Sequence, residues 1–541
     1  MRSTMQDFPL TISTILRYGS TTNADSQVLT YTGENLRSTT FAEVGRRAAR
    51  LANGLRNRLG VTGDQRVATF MWNNREHVEV YLAVPSMGAV VHTLNIRLFA
   101  DQIAYVAEHA EDRVVIVDAT LVPLFSKLVG RMPTVEHVVV TGPADTSAIT
   151  EAGKSVLDYE ELLAGQPDEF DWPELEEHEA ASMCYTSGTT GNPKGVVYSH
   201  RSMFLHTTQV VSPAGFSLSD GERVLQIVPM FHASAWGLPY ACFVSGATMV
   251  MPDRFLQAAP LIAMIREAGV TFAGAVPTIW SDVLAELDRT GSAIPTLKRA
   301  VVGGSACPPS LITAFEERYG VQIIHAWGMT EMSPLGTVAH PPAGASGERE
   351  FAYRTSQGRF PALVRARLIG PDGSELPHDG EAVGELEVRG PWVTAAYYKD
   401  DDPAKFRDGW LRTGDVGTIT PDGFLNLTDR EKDVIKSGGE WISSVELENH
   451  LMAHPAVAEA TVVGVPDERW AERPLAGIVW RAEPVPFDEL RDFLAGRIAK
   501  WQLPERWTTL EAVPKTSVGK FDKKEVRRVY GEGGYEVTYL D

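Results

Sequence analysis

The chain has 541 residues, 44% hydrophobic and 22% charged, the composition of a globular protein too long for one core. Its 50 basic and 70 acidic residues leave a formal net charge of −20, which argues against nucleic acid or an anionic membrane surface as the partner. Three cysteines, Cys184, Cys242 and Cys307, with no CxxC pair, speak against a disulfide framework or structural zinc and fit a reducing cytoplasm.

Residues 1–19 mix charged and polar side chains and lack the apolar run of a secretion signal. A helix is expected over Phe41–Leu59, with Phe41, Val44, Ala48, Leu51, Leu55 and Leu59 on its core stripe. The intervening arginines, including the pair Arg46 and Arg47, are assigned to its wet face. Residues 66–71, 90–95 and 114–118 read as strands, with helical stretches near residues 77–87 and 101–111 between them. Continuous β-branched runs separated by helices imply parallel strands buried on both faces, hence α/β architecture.

The alternation repeats over residues 224–324. Within it, residues 224–252 carry no full charge and are long enough to cross a bilayer. Pro229, Pro239, Gln226 and His232 lower their apolarity, so a buried strand, loop and helix are expected instead. After Tyr353, turn signals at Pro371, Asp379, Arg407 and Pro421 punctuate short strands and suggest a small β-rich subdomain. Beyond residues 429–432 a compact α/β unit begins. It has a strand near residues 457–465 and a helix over residues 486–502 that places Phe487, Leu490, Leu494, Ile498 and Trp501 on one face.

The segment YTSGTTGNPKG, residues 185–195, is the most informative. Gly188, Gly191 and Gly195 let backbone N–H groups approach oxyanions, and Thr186, Ser187, Thr189 and Thr190 add hydroxyl donors. Lys194 adds a point charge. It is not a Walker A loop, because Lys194 follows Pro193 and precedes Gly195 with no Ser or Thr to hold a metal. A metal must be held elsewhere.

This loop, followed in order by GGS (303–305), WGMTE (327–331), TGD (413–415), DREK (429–432), SGGE (437–440) and PKTSVGK (514–520), resembles the signature of the acyl-adenylate-forming superfamily. That superfamily comprises acyl-CoA synthetases, luciferases and peptide-synthetase adenylation domains. The stretches VPMFHASAWGLPY (228–240) and IKSGGEWISSVELEN (435–449) look most like the fatty-acyl-CoA synthetase branch, which includes homodimers. The resemblance implies a large N-terminal domain, residues 1–431, of α/β subdomains plus the β-rich subdomain. A small, mobile C-terminal α+β domain follows, residues 432–541.

It also implies the chemistry: ATP and Mg²⁺ convert a carboxylic acid into acyl-AMP with release of pyrophosphate, and CoA takes the acyl group. Carried over residue by residue, Trp327 stacks on adenine, and Gly304, Ser305 and Gly328 belong with it to the ATP-binding set. Thr330 donates to the α-phosphate, Glu331 ligates Mg²⁺, and Asp415 with Arg430 binds the ribose. Lys520 bridges the attacking carboxylate and the α-phosphate. Lys432 is the hinge, and Ser437, Gly438, Gly439 and Glu440 line the CoA tunnel. His232 and Trp236 border the acid pocket, with Trp236 as its gate.

The stretch GRFPAL, residues 358–363, departs from the family's Gly-x-Pro…Gly pattern and puts acid specificity in question. An amide synthetase taking an amine shares the first half-reaction, and the intact SGGEWISS loop favours CoA over it. A nucleotide-binding regulator with a relic site is the non-enzymatic alternative, and Lys520, Glu331 and Lys194 count against it.

Overall fold

A computed structural model describes residues 1, 3–186, 192–400, 402–430, 432–437, 440–516 and 521–540, with Glu440 and Trp441 described by backbone alone. Its first sheet runs, in spatial order, Ser155–Asp158, His137–Thr141, Asp112–Asp118, Arg66–Phe70, Val90–Thr93 and Ala180–Tyr185. All these neighbours are parallel. The β-branched runs are buried, as two-sided burial of a parallel sheet requires. An antiparallel edge strand, Gly195–Ser199, closes a hairpin with Ala180–Tyr185 in which Tyr185 pairs with Gly195. The phosphate-loop candidate is therefore a hairpin connection, fixed at its base by Thr186 N donating to the Lys194 carbonyl at 2.9 Å.

A second sheet begins with Gln27–Tyr31 and the parallel strands Thr248–Met251, Arg223–Leu225, Phe272–Ala275, Arg299–Val302 and Gln322–Gly328. Its hydrogen-bond path continues, now antiparallel, through Leu335–Val338 into the β-rich region ending at Phe424–Arg430. The β-rich region is thus joined to the second α/β block by a shared sheet. Residues 224–252 form a strand, a turn and the buried helix Leu238–Ser245, and no helix among the described residues is long and apolar enough to cross a membrane.

Between Arg430 and Ile435 the chain passes to a third sheet. There Val457–Asp467 and Ala471–Trp480 form a long antiparallel pair. The buried clusters divide at the same place: one set draws on residues up to Leu427, the other on residues from Ile435 onward.

Two expectations are corrected. Arg47 is not on a wet face: it is 8% exposed, donating from Nε to Glu79 at 2.7 Å and from Nη2 to Glu160 at 2.6 Å. A lone buried guanidinium would be costly, and two carboxylates from other helices offset that cost. Trp501 leaves the apolar stripe because the helix stops at Ala495, with Gly496 as its C-cap. The ring is 45% exposed, whereas Leu490 and Leu494 are buried.

Three buried histidines make stability depend on pH. Burial holds His77, His200 and His206 down to about 4, 4 and 3. His200 Nδ1 and His206 Nε2 also accept backbone N–H groups, from Ile12 at 3.2 Å and Leu335 at 3.1 Å, and so are held unprotonated. The unfolded chain, with imidazoles near 6.5, binds more protons below that pH, so stability falls on acidification. Each histidine is expected to cost about 2 kcal/mol at pH 5 relative to pH 7. Urea unfolding at the two pH values, with the His206→Gln variant showing a smaller loss, checks this.

Candidate active site

A cavity of about 590 Å³ opens between the first sheet, the second sheet and the β-rich region. Thr186, Lys194, Gly304, Trp327, Gly328, Thr330, Glu331, Arg430, His232 and Trp236 all line it. Residues from five separated stretches of sequence thus meet on one surface. Ser305 is exposed and does not line it. Ser187, Gly188, Thr189, Thr190, Gly191, Gly438, Gly439 and Lys520 lie outside the described residues, as does the side chain of Glu440.

Trp327 ends the buried strand Gln322–Gly328, and its ring lies over Gly336 of the neighbouring strand. A Cβ at Gly336 would stand 2.4 Å from that ring, so only glycine permits the approach. Its indole Nε1 donates to Asp415 Oδ2 at 2.9 Å, while Arg430 Nε lies 3.1 Å from Asp415 Oδ1. Asp415 is 3% exposed and does not itself line the cavity. Instead it fixes two groups that do, and its charge makes Arg430 hold its proton more firmly. Phe360, from the atypical loop, meets Trp327 edge-on at 6.2 Å between centroids.

The end of the cavity at Lys194 and Glu331 contains residues the motifs did not signal. Tyr397 Oη donates to Glu331 Oε1 at 2.6 Å, and burial together with that carboxylate keeps its proton in place. Lys194 Nζ stands 4.9 Å from the centre of the Tyr397 ring, 2.7 Å from Asp402 and 3.1 Å from Asp400. Burial works against the ammonium, and these carboxylates outweigh it. The run YYKDDD at residues 397–402 is the only trace of this in the sequence, and it resembles a solvated turn. Thr330 is held from behind, its carbonyl accepting from Tyr198 Oη at 2.7 Å.

At the other end the backbone is strained. Ala233, Ser234, Ala235 and Trp236 take φ of 43°, 51°, 51° and 57°, a left-handed run without glycine that costs about 1 kcal/mol or more per residue. The run drives the Trp236 ring against Gly303, where a Cβ would be 3.2 Å away. Beyond the ring lies a small second cavity of about 40 Å³, with Ile227, Val228, Phe231, Val276 and Ile279 in its walls. Trp236 and His232 border both.

The smaller lobe reaches the cavity through Thr516. Lys515 and Phe521, which flank the segment carrying Lys520, pair across a β-bridge. Lys432 is exposed, and Ser437 is buried in the smaller lobe beneath Arg473 Nη1 at 3.1 Å. Neither lines the cavity.

Residues 17–398 match the family of AMP-binding enzymes, and residues 446–520 match the AMP-binding enzyme C-terminal domain. The chain is 45% identical to 3-methylmercaptopropionyl-CoA ligase of Ruegeria pomeroyi, covering 96% of this chain and 97% of the relative. It is 43% identical to a long-chain-fatty-acid–CoA ligase of Thermus thermophilus, covering 98% and 97%. The fold matches the anthranilate CoA ligase AuaEII solved with anthranoyl-AMP, at TM-score 0.87 and 26% identity over 98% of this chain and 100% of that one. It also matches the amide bond synthetase McbA of Marinactinospora thermotolerans, at TM-score 0.81 and 25% identity over 96% and 99%.

The Trp327 ring position predicts a specific effect of Gly336→Ala. The added methyl must displace the ring, and AMP affinity measured by titration calorimetry is expected to fall about tenfold while the fold is retained.

Proposed function

The chain belongs to the AMP-binding enzyme family, and on that footing we propose that it activates a carboxylic acid, fatty or related, as acyl-AMP and transfers the acyl group to CoA. The observation that carries this reading is the convergence of Trp327, Arg430, Thr330, Glu331 and Lys194 on one cavity that Thr516 of the smaller lobe also lines.

A carboxylate repels nucleophiles, so the acid must first gain a leaving group. In the proposed reaction one carboxylate oxygen attacks the α-phosphorus of ATP, the bond to the β-phosphate oxygen breaks, and pyrophosphate departs. Trp327 stacks on adenine, and Asp415 holds Arg430 against the ribose and accepts from the ribose hydroxyls once binding opens the wall that buries it. Thr330 donates to the α-phosphate. Lys194 meets the outer phosphates once it exchanges Asp402 and Asp400 for them. Lys520 enters from the smaller lobe between the carboxylate and the α-phosphate and offsets charge that develops there.

The residues fit Mg²⁺. Glu331 lines the cavity, and only one of its two oxygens accepts a hydrogen bond among the described residues. Magnesium commonly takes one or two protein carboxylates and completes its shell with phosphates and water. No group of three or more candidate ligands occurs among the described residues, in keeping with a metal held mostly by the nucleotide. Bound there, the ion supplies charge neutralisation for the phosphates.

In the second half-reaction the CoA sulfur attacks the acyl carbon and AMP leaves. The domain reading is residues 1–431 and 432–541, with Lys432 as the pivot. Rotation there withdraws the Lys520 segment and presents Ser437–Glu440 as one wall of the thiol's path. The separate buried clusters on either side of residues 430–435 support it. CoA is preferred over an amine because relatives at 43–45% identity are CoA ligases, whereas the amide bond synthetase matches at 25%. His232 and Trp236 border the acyl path, and the apolar walls behind Trp236 suit an aliphatic tail.

Incubation with ATP, Mg²⁺, CoA and a series of acids from butanoate to palmitate, with 3-methylmercaptopropionate, tests this. Acyl-CoA, AMP and pyrophosphate are expected in equal amounts. Lys520→Ala should lower pyrophosphate release about 100-fold or more. No nucleotide consumption with any acid, or release unchanged in Lys520→Ala, overturns the reading.

A further inference from the structure

Three residues before Lys432, Asp429 is the penultimate residue of the last strand of the larger lobe, Phe424–Arg430. Its Oδ2 accepts the backbone N–H of Ser444 at 2.7 Å and also the Ser444 hydroxyl. Ser444 opens the helix Ser444–Met452 of the smaller lobe. A carboxylate of one lobe therefore meets the positive N-terminal end of a helix in the other. Beside it, the Ser443 hydroxyl donates to the Thr428 carbonyl.

The same hydroxyl of Ser444 receives Lys523 Nζ at 2.6 Å, and Lys523 lies 2.9 Å from Glu448 Oε1. Glu448 also accepts Val462 N–H at 2.7 Å. Ser444, Glu448 and Asp429 are buried, and the Lys523 side chain is 10% exposed. One ammonium thus lies among two buried carboxylates, with the serine hydroxyl relaying between Lys523 and Asp429. Lys523 follows Lys520 by three residues.

We propose that Asp429, Ser444 and Lys523 form a latch across the lobe boundary that holds the orientation used for adenylation, with Lys523 a positioning residue for Lys520. This rests on the pivot reading given above. Ser444, Glu448 and Lys523 all lie beyond Lys432 and travel with the smaller lobe, while Asp429 stays behind. The Lys523 to Glu448 pair therefore survives rotation, and the bonds to Asp429 do not. The latch is specific to one orientation, so its loss separates the two half-reactions.

The test measures ATP–pyrophosphate exchange and, separately, acyl transfer to CoA from chemically prepared acyl-AMP. It uses the acid from the butanoate-to-palmitate series that the wild type turns over fastest. Ser444→Ala removes only the relay hydroxyl and keeps the backbone N–H to Asp429, and Asp429→Asn removes the charge. Both are expected to lower exchange about 10-fold while transfer from acyl-AMP is unchanged or faster, and Lys523→Arg is expected to retain exchange. Equal losses in both half-reactions, or no loss in either, overturn the latch. Lys520→Ala runs alongside: if it leaves exchange intact, the adenylation reading has failed, whatever the latch variants do.

Discussion

A triphosphate must be held by a protein of net charge −20, and that constraint organises the site. Three cations of the cavity are matched by carboxylates, Lys194 by Asp400 and Asp402, Arg430 by Asp415 and Lys399 by Glu111, while Lys405 Nζ donates to the Thr413 carbonyl at 3.3 Å. The pairing fixes where each positive group stands before a nucleotide arrives, and it also neutralises much of the charge. The proposed mechanism adds a further cation at the reacting phosphate. In the proposed mechanism it comes from the smaller lobe, which makes lobe orientation a condition of the chemistry rather than an accessory to it.

The two ends of the cavity solve different problems. At the Trp327 end rigidity comes from close packing: Trp327 lies on Gly336, its N–H is taken by Asp415, and Phe360 meets its edge. At the Trp236 end, the left-handed run at residues 233–236 is strained backbone, held by the packing of Trp236 against Gly303. A strained segment bordering two cavities has a lower cost of rearrangement than a relaxed one. In the proposed mechanism this wall borders the path of the acid.

Much of the fold was legible in the chain. Two-sided burial demands unbroken β-branched runs, and these marked the parallel strands correctly, as periodicity marked the helix Phe41–Leu59. Single-element patterns fail where the answer lies in another element. Arg47 reads as solvent-facing until Glu79 and Glu160 are brought to it by two other helices. Trp501 continues a helical period that Gly496 interrupts. In the site, the motifs named the cavity residues Lys194, Trp327, Thr330, Glu331 and Arg430, but not Tyr397, Asp400 or Asp402. Asp402 reaches Lys194 across 208 positions, and no local spacing records such a meeting.

The central claim is that a cation from the smaller lobe lands on nucleotide chemistry organised by the larger one. The most direct test is a crystal structure with a non-hydrolysable acyl-sulfamoyl adenosine, in which the sulfamoyl group stands in for the α-phosphate. The account predicts adenine against Trp327, ribose hydroxyls on Asp415, and Lys520 Nζ within about 3 Å of the sulfamoyl oxygens or the acyl carbonyl. A well-ordered analogue with Lys520 remote from it, or with the adenosine away from Trp327 and Asp415, would contradict the account.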